Sequence, residues 1–186
     1  MTAAPDPDLI DVLVVDHRRV EQLFTELEAG LADLDRRTGL VGAVIAELRR
    51  HAADERAYLY PVTCVVLPDG EEIVGRQDAE QGEIEQLLAD LTEADGNALA
   101  QVIALVRHHV DDQEGDLFPR LRQALPPDEL LQLGRRVEAA KKIAPTRPHP
   151  SAPDRPPLNK LVAPGAGLLD RVRDALTNRP TSPADL

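Results

Sequence analysis

Two eleven-residue segments, HAADERAYLYP at residues 51–61 and HVDDQEGDLFP at residues 109–119, carry the side chains best suited to chemistry. Each opens on a histidine, with an aspartate three residues on (Asp54, Asp112), an aromatic nine on (Tyr60, Phe118) and a proline ten on. Four residues after the histidine the copies differ: Glu55 in the first, Gln113 in the second. Positions four apart on a helix share one face, about one turn apart. His51 and Glu55 therefore have the spacing of two ligands to one metal ion. Imidazole nitrogen with carboxylate oxygen suits iron, manganese or zinc, and bridging carboxylates let two ions share a site.

The repeat extends upstream. DHRRVEQLFTEL at residues 16–27 matches EQGEIEQLLADL at residues 80–91 through a shared Glu-Gln-Leu run, so the first two helices read as a duplicate of the next two. That symmetry gives four equivalent inward stations, His17, His51, Gln81 and His109, each near the middle of a helix. Carboxylates stand close by at Glu21, Glu55, Glu85 and Glu114. Glu21 and Glu85 also fit a solvated helix edge and are weaker candidates. His108 falls one residue off the station and is expected at the surface or behind the ligands; His149, in a proline-rich segment, is expected in solvent. Tyr58 and Tyr60 are expected to pack.

The elements that must position these residues follow from apolar periodicity. Ile10, Leu13, Val14, His17, Val20, Phe24 and Leu27 mark a helix from Asp8 to near Gly30. A second is expected from about Thr38 to the region of Pro61 or a little beyond, with Pro61 kinking or ending it. A third follows Pro68-Asp69-Gly70, carries Ile73, Gln77, Gln81, Ile84 and Leu88, and stops at Asp95-Gly96-Asn97. The fourth runs from Leu99 past His109 to before Pro126, and a short fifth from Pro127 to about Ala140. Four long helices with short connections predict an all-α, up-down-up-down four-helix bundle over residues 8–141, with its site in the core. Nine of the sixteen prolines lie beyond Lys142, so residues 142–186 are expected to form a Pro-rich arm with one short amphipathic helix at about 167–177.

Composition narrows the function. With no Trp, two Phe and two Tyr, the core must be aliphatic. A net charge of −12 argues against nucleic acid or an anionic membrane as partner, since both need basic surface. The single cysteine, Cys64, excludes an internal disulfide and is expected to be a buried small hydrophobe. No leader-like or membrane-spanning apolar run is visible, so a cytoplasmic location is expected.

HAADERAYLYP and HVDDQEGDLFP, with DHRRVEQLF upstream, resemble the hemerythrin-like, HHE cation-binding family of helical bundles over roughly residues 8–125. The ending APTRPHP…NKLVAPGAGLLDRVRDAL is similar to the tail of actinobacterial members. The resemblance implies a non-haem di-iron site with His17, His51, Glu55, His109 and a carboxylate near Gln113-Glu114 as ligands. Glu114 has the five-residue offset from His109 found in hemerythrins proper, whereas many bacterial relatives carry the acid at four, where Gln113 stands. The family's third-helix histidine is Gln81 here, and Glu85 lies one turn on, where oxygen carriers have another histidine. Amides are weak neutral ligands, so two irons in an oxygen-richer shell, one iron or another divalent metal, and an empty site all remain open. The implied function is binding, sensing or detoxification of O2, peroxide or NO, with carriage ranked lower because the shell is poor in nitrogen. Peroxide- or O2-reactive enzyme activity stays open, with no general acid or base to name. A second reading is a scaffold bundle whose site has degenerated.

Overall fold

The structure, a computed structural model, describes residues 6–30, 34–91 and 96–142. These form helices and connecting turns with no strand among the described residues, in the all-α bundle that the periodicity predicts. The expected helix at 167–177, His149 and the rest of the Pro-rich arm lie outside the described residues.

Helix α1 (Leu9–Glu28) starts where its sequence can satisfy free backbone donors. The Asp8 carboxylate accepts from the Asp11 N–H at 2.9 Å, and the Asp11 carboxylate accepts from the Asp8 N–H at 3.1 Å. Helix α2 (Leu34–Asp54) begins four residues before the expected Thr38. It does not end at Pro61. The chain passes through a π-helical turn (Glu55–Leu59), in which the Tyr60 N–H bonds the Glu55 carbonyl, and continues as α3 (Tyr60–Val66). Proline lacks an N–H and clashes with the carbonyl four residues back, and the wider turn absorbs both defects without breaking the rod.

The second half does the same. Helix α4 (Gly70–Asp90) is followed by α5 (Gly96–Asp112), a π-helical turn (Gln113–Leu117) ahead of Pro119, and α6 (Phe118–Ala124). Matching π turns at matching places give the sequence duplication a structural counterpart. Helix α7 (Pro127–Lys141) closes the described chain and packs along α1. Gly134 makes that approach possible: a Cβ there would lie 2.5 Å from the Pro7 carbonyl oxygen and 2.6 Å from the Asp8 carbonyl carbon.

Two apolar clusters fill the bundle. One gathers Leu23, Phe24, Leu40, Val44, Leu88, Val102 and Val106; the other gathers Leu9, Leu13, Leu59, Ile73, Leu117, Leu121 and Val137. Between them lies a layer of buried polar side chains: His17, His51, Glu55, Gln77, Gln81, His109 and Gln113. No helix among the described residues is long and apolar enough to cross a membrane. Cys64, expected inside, is exposed, while Tyr60 and Thr63 of the same helix are buried.

Gly134→Ala is expected to destabilise the protein by about 1–3 kcal/mol, because the neighbouring atoms are backbone and cannot swing away. Gly42→Ala, where a Cβ meets nothing within 4 Å, should instead stabilise α2 by about 0.5–1 kcal/mol. Thermal denaturation of the two variants checks the contrast, and equal melting temperatures would contradict the packing of α7 on α1.

Candidate metal centre

The polar layer is built around one carboxylate. Glu55 is fully buried, at 0 % exposure, and sits at the start of the first π turn. Its Oε1 lies 3.3 Å from His51 Nε2 and 3.4 Å from His109 Nε2. It also accepts a hydrogen bond from Gln113 Nε2, while Oε2 accepts one from Gln81 Nε2. His17 Nε2 meets His51 Nε2 at 3.2 Å. The donor atoms of His51, Glu55 and His109 all lie within 4.8 Å of one another, and His17 adjoins them through its contact with His51.

The opposite ring nitrogens face carboxylates. His17 Nδ1 is 2.8 Å from Glu114, His109 Nδ1 is 3.4 Å from Glu80, and His51 Nδ1 faces Asp16 at 3.7 Å. Asp16 precedes His17 and Glu80 precedes Gln81, so the duplication sets both of the latter acids behind a histidine of the neighbouring helix. A carboxylate on one ring nitrogen fixes the ring's orientation and makes the other nitrogen a better ligand. Lys141, at the end of α7, holds Asp16 from outside, and Arg18 holds Glu114.

Of the residues singled out in the sequence, His17, His51, Glu55, Gln81, His109 and Gln113 come together in this layer. Others are placed elsewhere. Glu114 lies behind His17, paired with Arg18, while the amide of Gln113 turns inward: four residues after His109, not five, is the inward position. Glu21 is drawn away by Arg107 on the bundle's exterior, and the Glu85 carboxylate pairs with Arg56. The companion of Gln81 is found one turn before it. Gln77, buried beside Gln113 and accepting from its amide at 2.7 Å, takes the place the sequence reading gave to Glu85. The signal was present, since a glutamine four residues before Gln81 on the apolar stripe of α4 has no other reason to be inside. His108 is exposed, close to Glu80 and Asp112.

Beside the ligand cluster is a cavity of about 20 Å3, enough for one water-sized occupant. His17, His51, Gln81 and His109 form its polar side, Val20, Leu48, Ile84, Leu88 and Val106 its apolar side, and Arg49 and Glu85 also border it.

The sequence profile of the hemerythrin HHE cation binding domain matches residues 8–121. The chain belongs to this family. An uncharacterized hemerythrin-like protein of Schizosaccharomyces pombe is 27% identical over 177 residues, covering 91% of this chain and 87% of that protein. A DNA nickase of Nostoc is 28% identical over 142 residues, covering 73% of this chain but 40% of the nickase. No solved structure matches the chain significantly.

In this hemerythrin-like layer the protons have well-defined places. Burial pulls His51 down, but Glu55 and Asp16 outweigh it and raise its pKa from 6.5 to about 10. His17 goes the other way, to about 4, through burial and the neighbouring charge on His51. Burial works to raise Glu55, yet the charges on His51 and His109 hold it well below 4.5. Neutral His17 can then donate from Nδ1 to Glu114 and accept at Nε2 from the His51 imidazolium. Protons between the ligand atoms stand where a cation would, and a metal must displace them. The ligand set fits a cation: bonds of about 2.0–2.2 Å place neighbouring donors roughly 3.0–3.5 Å apart, and the separations here are 3.2, 3.3 and 3.4 Å. The buried Gln113 Oε1, which has no hydrogen-bond partner, is a further oxygen beside the site.

Two expectations follow from these positions. For the protein stripped of metal, the His51 pKa in the fold exceeds its unfolded value, so its stabilisation is complete below 6.5 and is lost as pH rises toward 10. Buried Asp54, raised by desolvation from 3.8 to about 7 against the pull of Lys141, adds to the decline up to about neutral pH. Melting temperature should fall from about pH 6.5 to about pH 9 and be rescued by metal, which prefers the deprotonated ring; a rise without metal would contradict the protonated pair. Asp16→Asn, which leaves every inward donor in place, should weaken metal affinity by roughly 10–100-fold in a competition titration.

Proposed function

We propose that this hemerythrin-like chain is a non-haem iron protein that takes up O2, peroxide or NO, for binding, sensing or detoxification. The observation that carries the reading is the convergence of carboxylate-backed His51 and His109 on buried Glu55, with His17 against His51, next to a cavity of about 20 Å3. His17, His51, Glu55 and His109 would hold the metal. Within this group His51, His109 and Glu55 make the two-histidine, one-carboxylate donor set of non-haem Fe(II) sites that keep positions open for a small ligand. Bound iron would supply an open coordination position and a change of oxidation state.

The chain's own residues define what can reach that position. With Val20, Leu48, Ile84, Leu88 and Val106 along it, a space of about 20 Å3 leaves no room for a large substrate, which favours a small ligand. Glu55 offsets part of the cation's charge, and the buried histidines keep their Nε2 atoms aimed at it through Asp16, Glu80 and Glu114. The chain's one cysteine leaves no internal disulfide, consistent with a reducing cytoplasm where iron stays ferrous. DNA nicking is not carried over from the Nostoc relative, since a chain of net charge −12 lacks the basic surface that binds a phosphate backbone. A scaffold role finds support in Gln81 and Gln113, whose amides already satisfy Glu55 by hydrogen bonding.

Metal analysis decides between the two. After anaerobic loading with Fe(II), the protein is expected to retain iron and to change its visible spectrum on exposure to NO; retention below about 0.2 ions per chain would leave only the scaffold. Glu55→Ala should abolish retention, because it removes the carboxylate that faces the inward Nε2 atoms of His51 and His109 and leaves the cation's charge uncompensated.

A further inference from the structure

We infer that the polar layer holds one metal ion, on His51, Glu55 and His109 with His17 beside His51, and that three glutamines close the second position. This rests on the iron-binding reading above. The two halves differ in their donors. The first half contributes His17, His51 and Glu55; the equivalent residues of the second half are Gln81, His109 and Gln113, so two of three donors there are amides. Gln77, the other inward residue of α4, is also an amide.

The amides do more than bind weakly. Gln81 Nε2 donates to Glu55 Oε2, and Gln113 Nε2 donates to both Glu55 Oε1 and Gln77 Oε1. A carboxylate that bridges two metals needs both oxygens free. Here an N–H covers Oε2, on the side away from the histidines. Turning the amides over does not release it, since a carbonyl oxygen would then face the carboxylate, and Gln113 would face two acceptors at once.

Donor number and charge agree. Di-iron bundles of the ferritin-like type supply about six inward donors, four of them carboxylates. Among the described residues this layer offers three imidazoles and one carboxylate. One divalent ion with Glu55 leaves a local charge of about +1, whereas two would leave about +3 in a buried layer. Of the acids behind the histidines, Lys141 already neutralises Asp16 and Arg18 already neutralises Glu114, which leaves Glu80 alone against the larger charge.

The test is metal stoichiometry of the full chain, with a spectroscopic readout. Loaded with excess Fe(II), freed of loose metal and oxidised, the protein should hold roughly one iron per chain and show a high-spin ferric electron paramagnetic resonance signal accounting for nearly all of it. Gln81→His/Gln113→Glu copies the first half's donors into the second and should raise the content to roughly two, with loss of that signal through coupling. About two irons in the unmodified protein, with the signal absent, would overturn the inference and leave iron binding standing. Content below about 0.2 would remove both. A folded double variant that stays at one iron would overturn the assignment of the limit to the glutamines.

Discussion

The buried carboxylate of Glu55 constrains the rest of the molecule. A carboxylate without exposure to water is tolerated only if charges and donors surround it, and two imidazoles and two amides from three different rods of the bundle do so here. Each partner must come from mid-helix, since that is where the rods pass one another. The two apolar clusters above and below the layer then set its depth and seal it. Glu55 thus helps to specify register as well as to define the site.

The π-helical turns belong to the same constraint. Both start at the residue one turn after an inward histidine, and both precede a proline that an unbroken α-helix could not accommodate in its middle. Widening the rod by one residue at this level lets Leu59 and Leu117 regain the core face beyond it, where they join the second apolar cluster. The defect and the site thus share one place in each half. A π turn inside a long helix is a common companion of functional residues because it changes which side chains face inward over a single turn.

Around the layer runs a shell of acids whose charges are controlled from outside. Asp16, Glu80 and Glu114 face the outer nitrogens of the three histidines, and Lys141 and Arg18 balance two of them. Helix α7, which contributes no inward ligand, therefore influences the centre through its last residue. Membership of the hemerythrin HHE family accounts for the bundle and for cation binding as its general use. The glutamines at 77, 81 and 113 are where this chain parts from the symmetric donor set that its own duplication implies, and they give the centre a one-sided character.

Much of this was legible in the sequence. Apolar periodicity located the helices, since burial of one helix face imposes a repeat that needs no partner to be visible. The two copies at residues 51–61 and 109–119 located the stations, since residues four apart share a face whatever surrounds them. Sequence could not decide between neighbours: whether Gln113 or Glu114 faces inward depends on a difference of about 100° around the helix, which the π turn and the pull of Arg18 settle together. Nor could it separate Gln77 from Glu85, both one turn from Gln81, because the choice rests on Gln113 waiting on one side and Arg56 on the other. Cys64 escaped for the same reason, its exposure being set by which face of α3 packs. Composition and spacing along one helix determine which residues can be ligands; partners from other helices decide which of them are.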